Sequence, residues 1–258
     1  MGHLMVSESG EVEAMLRRIK ERTWFYEFEL PDGTRTTTDV PADVLPIHAS
    51  RRDKLVRIIS ERVAGASELS AIDMASHEGF YSVEMSRHFR TVRGLEVRQS
   101  SLEAARLITS ALGISNVVYE QADLQTMRYA PEDAADFVLL YGLIYHLENP
   151  VHTLRLASQL CRRHLLIETQ VFPYDVSGGL EDGHYMNVRR IEGVFGLTPD
   201  YSAHREGGST DIALVPSLNA LLFLLRTFGF RSVEVLPSHE GDYEQFRRGS
   251  RVLVYAEK

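Results

Sequence analysis

The stretch AIDMASHEGFYSVEMSRH, residues 71–88, decides how the rest of the chain is read. An apolar run closes on Asp73, a short loop follows, and a helical pattern begins beside Gly79. A nucleotide-binding loop at such a junction normally carries three glycines. Here Ala75 and His77 take the first two places, and only Gly79 remains. The stretch is a cofactor loop with substitutions, a loop that has lost its ligand, or a coincidence, and its surroundings must decide which.

Those surroundings are regular. LSAIDMA reads as a short buried strand and YSVEMSRHF as a helix. TVRGLEV is a strand, and SLEAARLITSALG a helix with Ser101 as its expected cap and Gly113 as its stop. NVVYEQAD, DFVLLYGLIYHL and RHLLIETQV are further strands, with the helix VHTLRLASQLC before the last of them. Strands alternating with helices predict an α/β fold, a Rossmann-like parallel sheet with helices on both faces. PSLNALLFLLRTFGF restores a helix ended by Gly229, and RSVEVLP and SRVLVYAEK are expected as a strand pair at one sheet edge. Between them, residues 172–212 are rich in Gly, Pro and Asp with little periodicity, the mark of a functional insertion or lid. Ahead of the series, residues 9–22 carry Val12, Met15, Leu16 and Ile19 on one helical stripe. WFYEFELPDGTRTT predicts a hairpin turning at Pro31-Asp32-Gly33, and residues 50–64 return to helical spacing. The expected division is an N-terminal extension, 1–66, and a main domain, 67–258.

The 258 residues are 44% apolar and carry a formal charge of −8, so a sizeable core is expected and broad nucleic-acid affinity is not. One cysteine, Cys161, excludes an internal disulfide framework and suits a reducing cytoplasm. No run of about 18 apolar residues predicts a membrane span, and the first residues lack the apolar core of a signal peptide.

In an open parallel sheet, ligands bind beyond the carboxyl ends of the strands. Asp73 ends the first strand of the series. Glu96 ends the second, where a carboxylate can accept from ribose hydroxyls. Asp123 ends the third, placed for an exocyclic adenine amine, with the Leu124 backbone beside the ring nitrogen. A pyrophosphate needs glycines for close approach and would be repelled by Asp73 and Glu78. A ligand with an ammonium and a sulfonium tolerates that acidity, and S-adenosylmethionine is such a ligand.

The order of elements resembles the class I methyltransferases, with a seven-stranded sheet. More narrowly, DMASHEGFYSVEM, YGLIYHLENPVHTL, VPSLNALLFLLRTFGF and WFYEFELPDGTRTT resemble motifs of a subgroup similar to the tRNA wobble-uridine carboxymethyltransferases. The resemblance runs from about residue 24 to the end, apart from most of 172–212. It implies S-adenosylmethionine as cofactor, bound by Asp73, Ala75, Ser76, His77, Gly79, Glu96, Asp123, Leu124 and Tyr141. Ala75 and His77 depart from the subgroup's loop, adding bulk beside the methionine moiety.

Methyl transfer needs alignment, exclusion of water and, for a poor nucleophile, removal of a proton. Tyr145 and His146, just past the fourth strand, are the catalytic candidates, His146 as base and Tyr145 as pocket wall beside the methyl group. A structural role for His146, ordering its loop, is the competing reading. In the insertion, Tyr174, His184, Tyr185, Asn187, Arg189 and Arg190 are candidate substrate contacts, and a solvated lid is the alternative for each. Trp24, Phe25 and Tyr26 are expected to pack, with capping of the pocket as the alternative. No metal-ligand spacing is recognisable.

The leading expectation is a methyltransferase acting on O, N or C of a small molecule, in the cytoplasm, as a monomer or homo-oligomer. The resemblance alone implies a tRNA substrate, against which stand the dispersed basic residues. A non-catalytic binding module is the third reading, and Ala75 and His77 are its support.

Overall fold

The computed structural model describes residues 3–176, 178–182, 187–200 and 210–258. The chain divides into two compact units, Met1–Asp123 and Leu124–Lys258.

The first unit opens with α1 (His3–Lys20). Of the expected stripe, Ile19 is fully buried, Met15 and Leu16 are half-buried, and Val12 is exposed. The expected hairpin forms only in part. Its turn is real: Gly33 N donates to Leu30 O and Leu30 N to Thr34 O, with Gly33 at φ 79°. Its arms are joined by Leu30 N donating to Thr34 O and Thr36 N to Phe28 O on either side of a bridge at Glu29–Arg35, and no longer strands follow. Instead β1 (Thr23–Trp24) and β2 (Thr37–Thr38) pair in parallel. Trp24, Phe25, Tyr26 and Phe28 are all buried, so this segment is covered on both sides rather than on alternate residues alone. The Thr36 hydroxyl adds to the backbone pairing, accepting from Phe28 N at 2.8 Å and donating to Tyr26 O at 2.9 Å.

Next come α2 (Pro46–Arg62), β3 (Ser70–Met74), α3 (Phe80–Ser86), β4 (Thr91–Glu96), α4 (Gln99–Ala111) and β5 (Val117–Gln121). The three strands are parallel in the order β3-β4-β5. Gly113, at φ 67°, follows α4 as expected. Ser101 does not cap that helix, which starts two residues earlier, and it is buried within the first turn. Tyr119 of β5 locks the unit. A Cβ on Gly94 would lie 2.5 Å from its ring, and one on Gly79 2.3 Å from its hydroxyl. That hydroxyl is 3.0 Å from Thr109 Oγ1, and burial pushes its pKa up to about 12.

The second unit contains β6 (Ala135–Tyr141), α5 (Pro150–Leu160), β7 (Cys161–Gln170), β8 (Gly179–Asp182), β9 (Asn187–Arg190), β10 (Phe195–Pro199) and β11 (Ile212–Pro216). It closes with α6 (Leu218–Thr227), β12 (Ser232–Leu236), α7 (Glu244–Arg247) and β13 (Arg251–Glu257). Phe137, Val138, Leu139 and Leu140 of β6 and Leu165, Leu166 and Ile167 of β7 are fully buried, the continuous apolar runs of strands covered on both faces. The unit's strands are ordered β6-β7-β13-β12, with β13 antiparallel to both neighbours and β12 at the edge, as expected for the last pair. Asn149 and Ser217 cap α5 and α6, accepting from the amides of His152 and Ala220. The insertion is more regular than its sequence: β8 pairs with β9, and β10 with β11, both antiparallel.

Together the two units supply the seven strands of a mixed sheet flanked by helices, the α/β class that the sequence predicts. The Tyr119 contacts carry a first prediction. Gly94→Ala should lower unfolding stability by about 1–3 kcal/mol through overpacking. Gly79→Ala should cost about 1–2 kcal/mol more, for a left-handed residue with a Cβ. Urea unfolding of the two variants measures both.

Candidate active site

In the first unit the loop after β3 holds Ala75 at φ 60°, His77 at φ 50° and Gly79 at φ 82°. Ala75 and His77 are the only non-glycine positive-φ residues among those described. The backbone therefore keeps a glycine-loop conformation at two positions where glycine is absent, at roughly 1–2 kcal/mol each. Strain of this kind persists only where the surroundings over-determine it.

Those surroundings are visible. Ser76 N donates to Leu95 O and Gly79 N to Ser76 O. His77 N donates to Glu96 Oε2 at 2.9 Å, and Arg98 N to Glu96 Oε1 at 2.9 Å. Glu96 thus fastens the loop to the start of α4. Each of its oxygens keeps one further lone pair, so the carboxylate can also accept from a diol such as ribose. The Ser76 hydroxyl is buried without a hydrogen-bond partner among the described residues.

The His77 ring belongs to the aromatic packing of the N-terminal segment. The ring packs 5.1 Å from Phe25 and 5.7 Å from Tyr26, centroid to centroid. Tyr26 in turn stacks on Phe80 at 4.7 Å, so Trp24, Phe25 and Tyr26 pack, as expected. Glu78 departs from the sequence reading, in which it adds acidity to the cofactor site. Its carboxylate is buried and accepts from Phe25 N at 2.8 Å and Tyr26 N at 3.4 Å, beside Arg22. It is a tether for the N-terminal segment.

Asp73 is buried, and its Oδ2 accepts from Ser82 Oγ at 2.6 Å. Burial raises its pKa to about 7, the Ser82 hydrogen bond opposes the rise, and the nearby Glu96 adds to it. Asp123 is half-buried. A separate cleft of about 470 Å³ lies over the outer face of α3, between Phe28, Leu45, His48, Phe80, Glu84 and Arg87. Asp73, Ser76 and Glu96 do not line it.

In the second unit β6 ends at Tyr141, and Gly142, at φ 66°, turns the chain into a short 3-10 helix, Ile144–His146. Tyr141 and Leu124 are buried. The adjacent rings of Tyr145 and His146 are 4.3 Å apart, and each is held by a residue that sequence reasoning missed. His146 Nδ1 lies 3.0 Å from Asp200 Oδ1. Tyr145 Oη accepts from Arg251 at 3.3 and 3.4 Å. Arg251 is itself fixed by Glu168 at 2.7 Å and Gln245 at 2.9 Å, and the ion pair with Glu168 is almost wholly buried. Asp200 follows β10, and its arm is pinned to the same turn by Leu214 N donating to Leu147 O. No local signal marks these partners, because Asp200 is 54 and Arg251 106 residues distant in the chain.

Of the expected substrate contacts, Tyr174 is exposed and edge-on to Phe172. Arg189 and Arg190 are exposed, Arg190 near Glu192. Asn187 begins β9, and His184 and Tyr185 lie outside the described residues. Among the described residues no His, Cys, Asp and Glu side chains cluster as a metal site. No described helix is long and apolar enough to cross a membrane.

Residues 66–181 match the family model of a methyltransferase domain. The chain is 24% identical over 124 residues to a ubiquinone biosynthesis O-methyltransferase from Serratia proteamaculans (strain 568), covering 48% of this chain and 51% of that protein. It thus spans about half the length of that relative. In structure it is similar to the N-terminal domain of EvdMO1, crystallised with SAH and D-fucose: TM-score 0.70, 21% identity, 95% of each chain covered. It is also similar to magnesium protoporphyrin IX methyltransferase from Synechocystis PCC 6803 with bound SAH: TM-score 0.53, 13% identity, 83% of this chain and 85% of that one. A methyltransferase from Mesorhizobium loti gives TM-score 0.53 at 17% identity, covering 84% of this chain and 98% of that one. The fold is that of the class I methyltransferases.

Two outcomes follow for the loop. Ala75→Gly should raise stability by up to about 1 kcal/mol, because relief of the left-handed strain exceeds the entropy lost by glycine. His77→Gly should bring no such gain, since it also removes the ring contacts. Asp73 titrates near 3.8 when unfolded and near 7 when folded. Between these values the folded chain holds the extra proton, so the Asp73 contribution to stability falls as pH rises from about 4 to 7 and is level above. Denaturation midpoints across that range should lose this slope in Asp73→Asn.

Proposed function

We propose that this chain is an S-adenosylmethionine-dependent methyltransferase acting on a small molecule. The observation that carries the reading is the loop after β3. It bears two left-handed residues without glycine's freedom, and it is held in that shape by Glu96, a carboxylate with acceptor capacity to spare. Strain that local contacts maintain at such a junction supports a ligand-binding role. The methyltransferase-domain match over residues 66–181 supports the same conclusion.

Bound there, the cofactor supplies an electrophilic methyl group on a sulfonium. The residues fit a cation better than a phosphate: Asp73 and Glu96 are acidic, and the loop offers Ser76 and His77 rather than a run of close-approach glycines. In this reading Glu96 accepts from the ribose hydroxyls, Asp73 faces the ammonium, and Asp123 with the Leu124 backbone reads the adenine. Ala75, Ser76, His77 and Gly79 give the loop its shape, and Tyr141 lines the site. Tyr145 and His146 address the acceptor. In the division into an extension, 1–66, and a main domain, 67–258, the insertion at residues 172–212 supplies the candidate substrate contacts Tyr174, His184, Tyr185, Asn187 and Arg190. The formal charge of −8 favours a small acceptor over tRNA, the acceptor implied by resemblance to the wobble-uridine enzymes. D-fucose with one structural neighbour and ubiquinone biosynthesis in one relative's name are small-molecule contexts.

Calorimetry with S-adenosylmethionine and S-adenosylhomocysteine tests the reading. Both should bind, and Glu96→Gln should weaken S-adenosylmethionine by about 1–3 kcal/mol, the loss of charge-assisted hydrogen bonds. Its affinity should also fall as pH is lowered through 7, where Asp73 takes up its proton, and Asp73→Asn should abolish that dependence. Absence of heat with either ligand, together with no thermal shift, would leave a non-catalytic binding module instead.

A further inference from the structure

Resting on the methyl-transfer reading, we infer that Asp200 and His146 form a pair that takes a proton from a hydroxyl acceptor, with Tyr145 addressing a neighbouring oxygen of the same molecule. The acceptor class is therefore a small molecule with adjacent oxygens, such as a sugar, polyol or catechol.

The argument is hydrogen-bond accounting. A carboxylate can only accept, so the 3.0 Å contact to Asp200 Oδ1 places the imidazole proton on His146 Nδ1. The second nitrogen, Nε2, then carries a lone pair, and it has no hydrogen-bond partner among the described residues. The side chains of His146 and Asp200 are 19% and 13% exposed, screened enough for the pair to hold and open enough for a substrate to reach. A ring used only to brace its loop would spend both nitrogens on the protein. This one spends one.

Tyr145 is held in the complementary sense. Both Arg251 contacts donate to its oxygen, so its own proton must point elsewhere, and it finds no acceptor among the described residues. Arg251 cannot rotate away, because Glu168 and Gln245 fix the same guanidinium. Two neighbouring rings 4.3 Å apart thus present one acceptor and one donor. A neutral hydroxyl can donate to His146 Nε2 while an oxygen next to it accepts from Tyr145. An ammonium group, with three donors and no acceptor, satisfies only the first.

The proton and electron balance is simple. An oxygen lone pair of the acceptor forms the new bond to the methyl carbon, and the carbon–sulfur pair leaves on sulfur. The hydroxyl proton passes to Nε2, giving an imidazolium whose Nδ1–H faces Asp200. Solvent then removes the proton. His146 is the catalytic residue here, and Asp200 is a positioning residue that acts through it.

The test uses the full chain labelled with ¹⁵N-histidine, saturated with S-adenosylhomocysteine, with His146→Gln assigning the ring signals. The wild type and Asp200→Asn, which keeps an acceptor oxygen, should show the Nδ1–H tautomer. Asp200→Ala should lose it while retaining S-adenosylhomocysteine affinity. Adding catechol, myo-inositol or a methyl hexopyranoside should move the His146 signals, and cyclohexylamine should not. Tyr145→Phe should weaken the responding diol about tenfold without changing the tautomer. A proton on Nε2, or a tautomer indifferent to Asp200→Ala, overturns the pair. A response to the amine alone, or to no probe while S-adenosylhomocysteine binds, overturns the acceptor class. Failure of S-adenosylhomocysteine to bind would count against the methyl-transfer reading, and the tautomer measurement would still decide the pair.

Discussion

The grip of Glu96 on two backbone amides is the constraint from which the rest of the first unit takes its shape. Ala75 and His77 sit in a backbone region that L-residues avoid. A loop so strained would relax unless something held its amides. Glu96 holds one end at His77 N and ties the other to the first turn of α4 at Arg98 N. The charge-assisted bonds are stronger than neutral ones, and they offset part of the left-handed cost. In the proposed function, affinity for the ligand and the shape of the loop would depend on the same carboxylate.

The substitutions that look like losses have uses of their own. The His77 ring is part of the aromatic packing around Phe25, Tyr26 and Phe80, and Glu78 accepts from the amides of Phe25 and Tyr26. The N-terminal segment is fixed to the loop by His77 and Glu78. Asp73 gains its own leverage from burial. A carboxylate raised to about 7 sits at the boundary where a cationic ligand can decide its charge.

The second unit arranges its chemistry differently. Tyr145 and His146 are neighbours in sequence on one short helical turn, and each is oriented by a distant partner. The Arg251–Glu168 pair is stable only as a pair, since either charge alone would be buried without compensation. Such a device specifies geometry more than it adds stability.

The sequence by itself determined the succession of strands and helices in the sheet, because buried strands demand unbroken apolar runs and amphipathic helices a 3.6-residue spacing. It also marked Asp73, Glu96 and the Tyr145-His146 turn, since each stands at the carboxyl end of a legible strand. It expected longer hairpin arms over 24–38 than those that form, since the pairing around Glu29–Arg35 gives way to the parallel contact of β1 with β2. It misplaced Ser101 as a cap and Glu78 as a site acid. Only the tertiary structure joined Asp200 and Arg251 to their rings, and only it showed Ala75 and His77 left-handed. A side chain's hydrogen-bond partner and a residue's φ are fixed by what the folded chain brings alongside, and no local pattern of residue types encodes that.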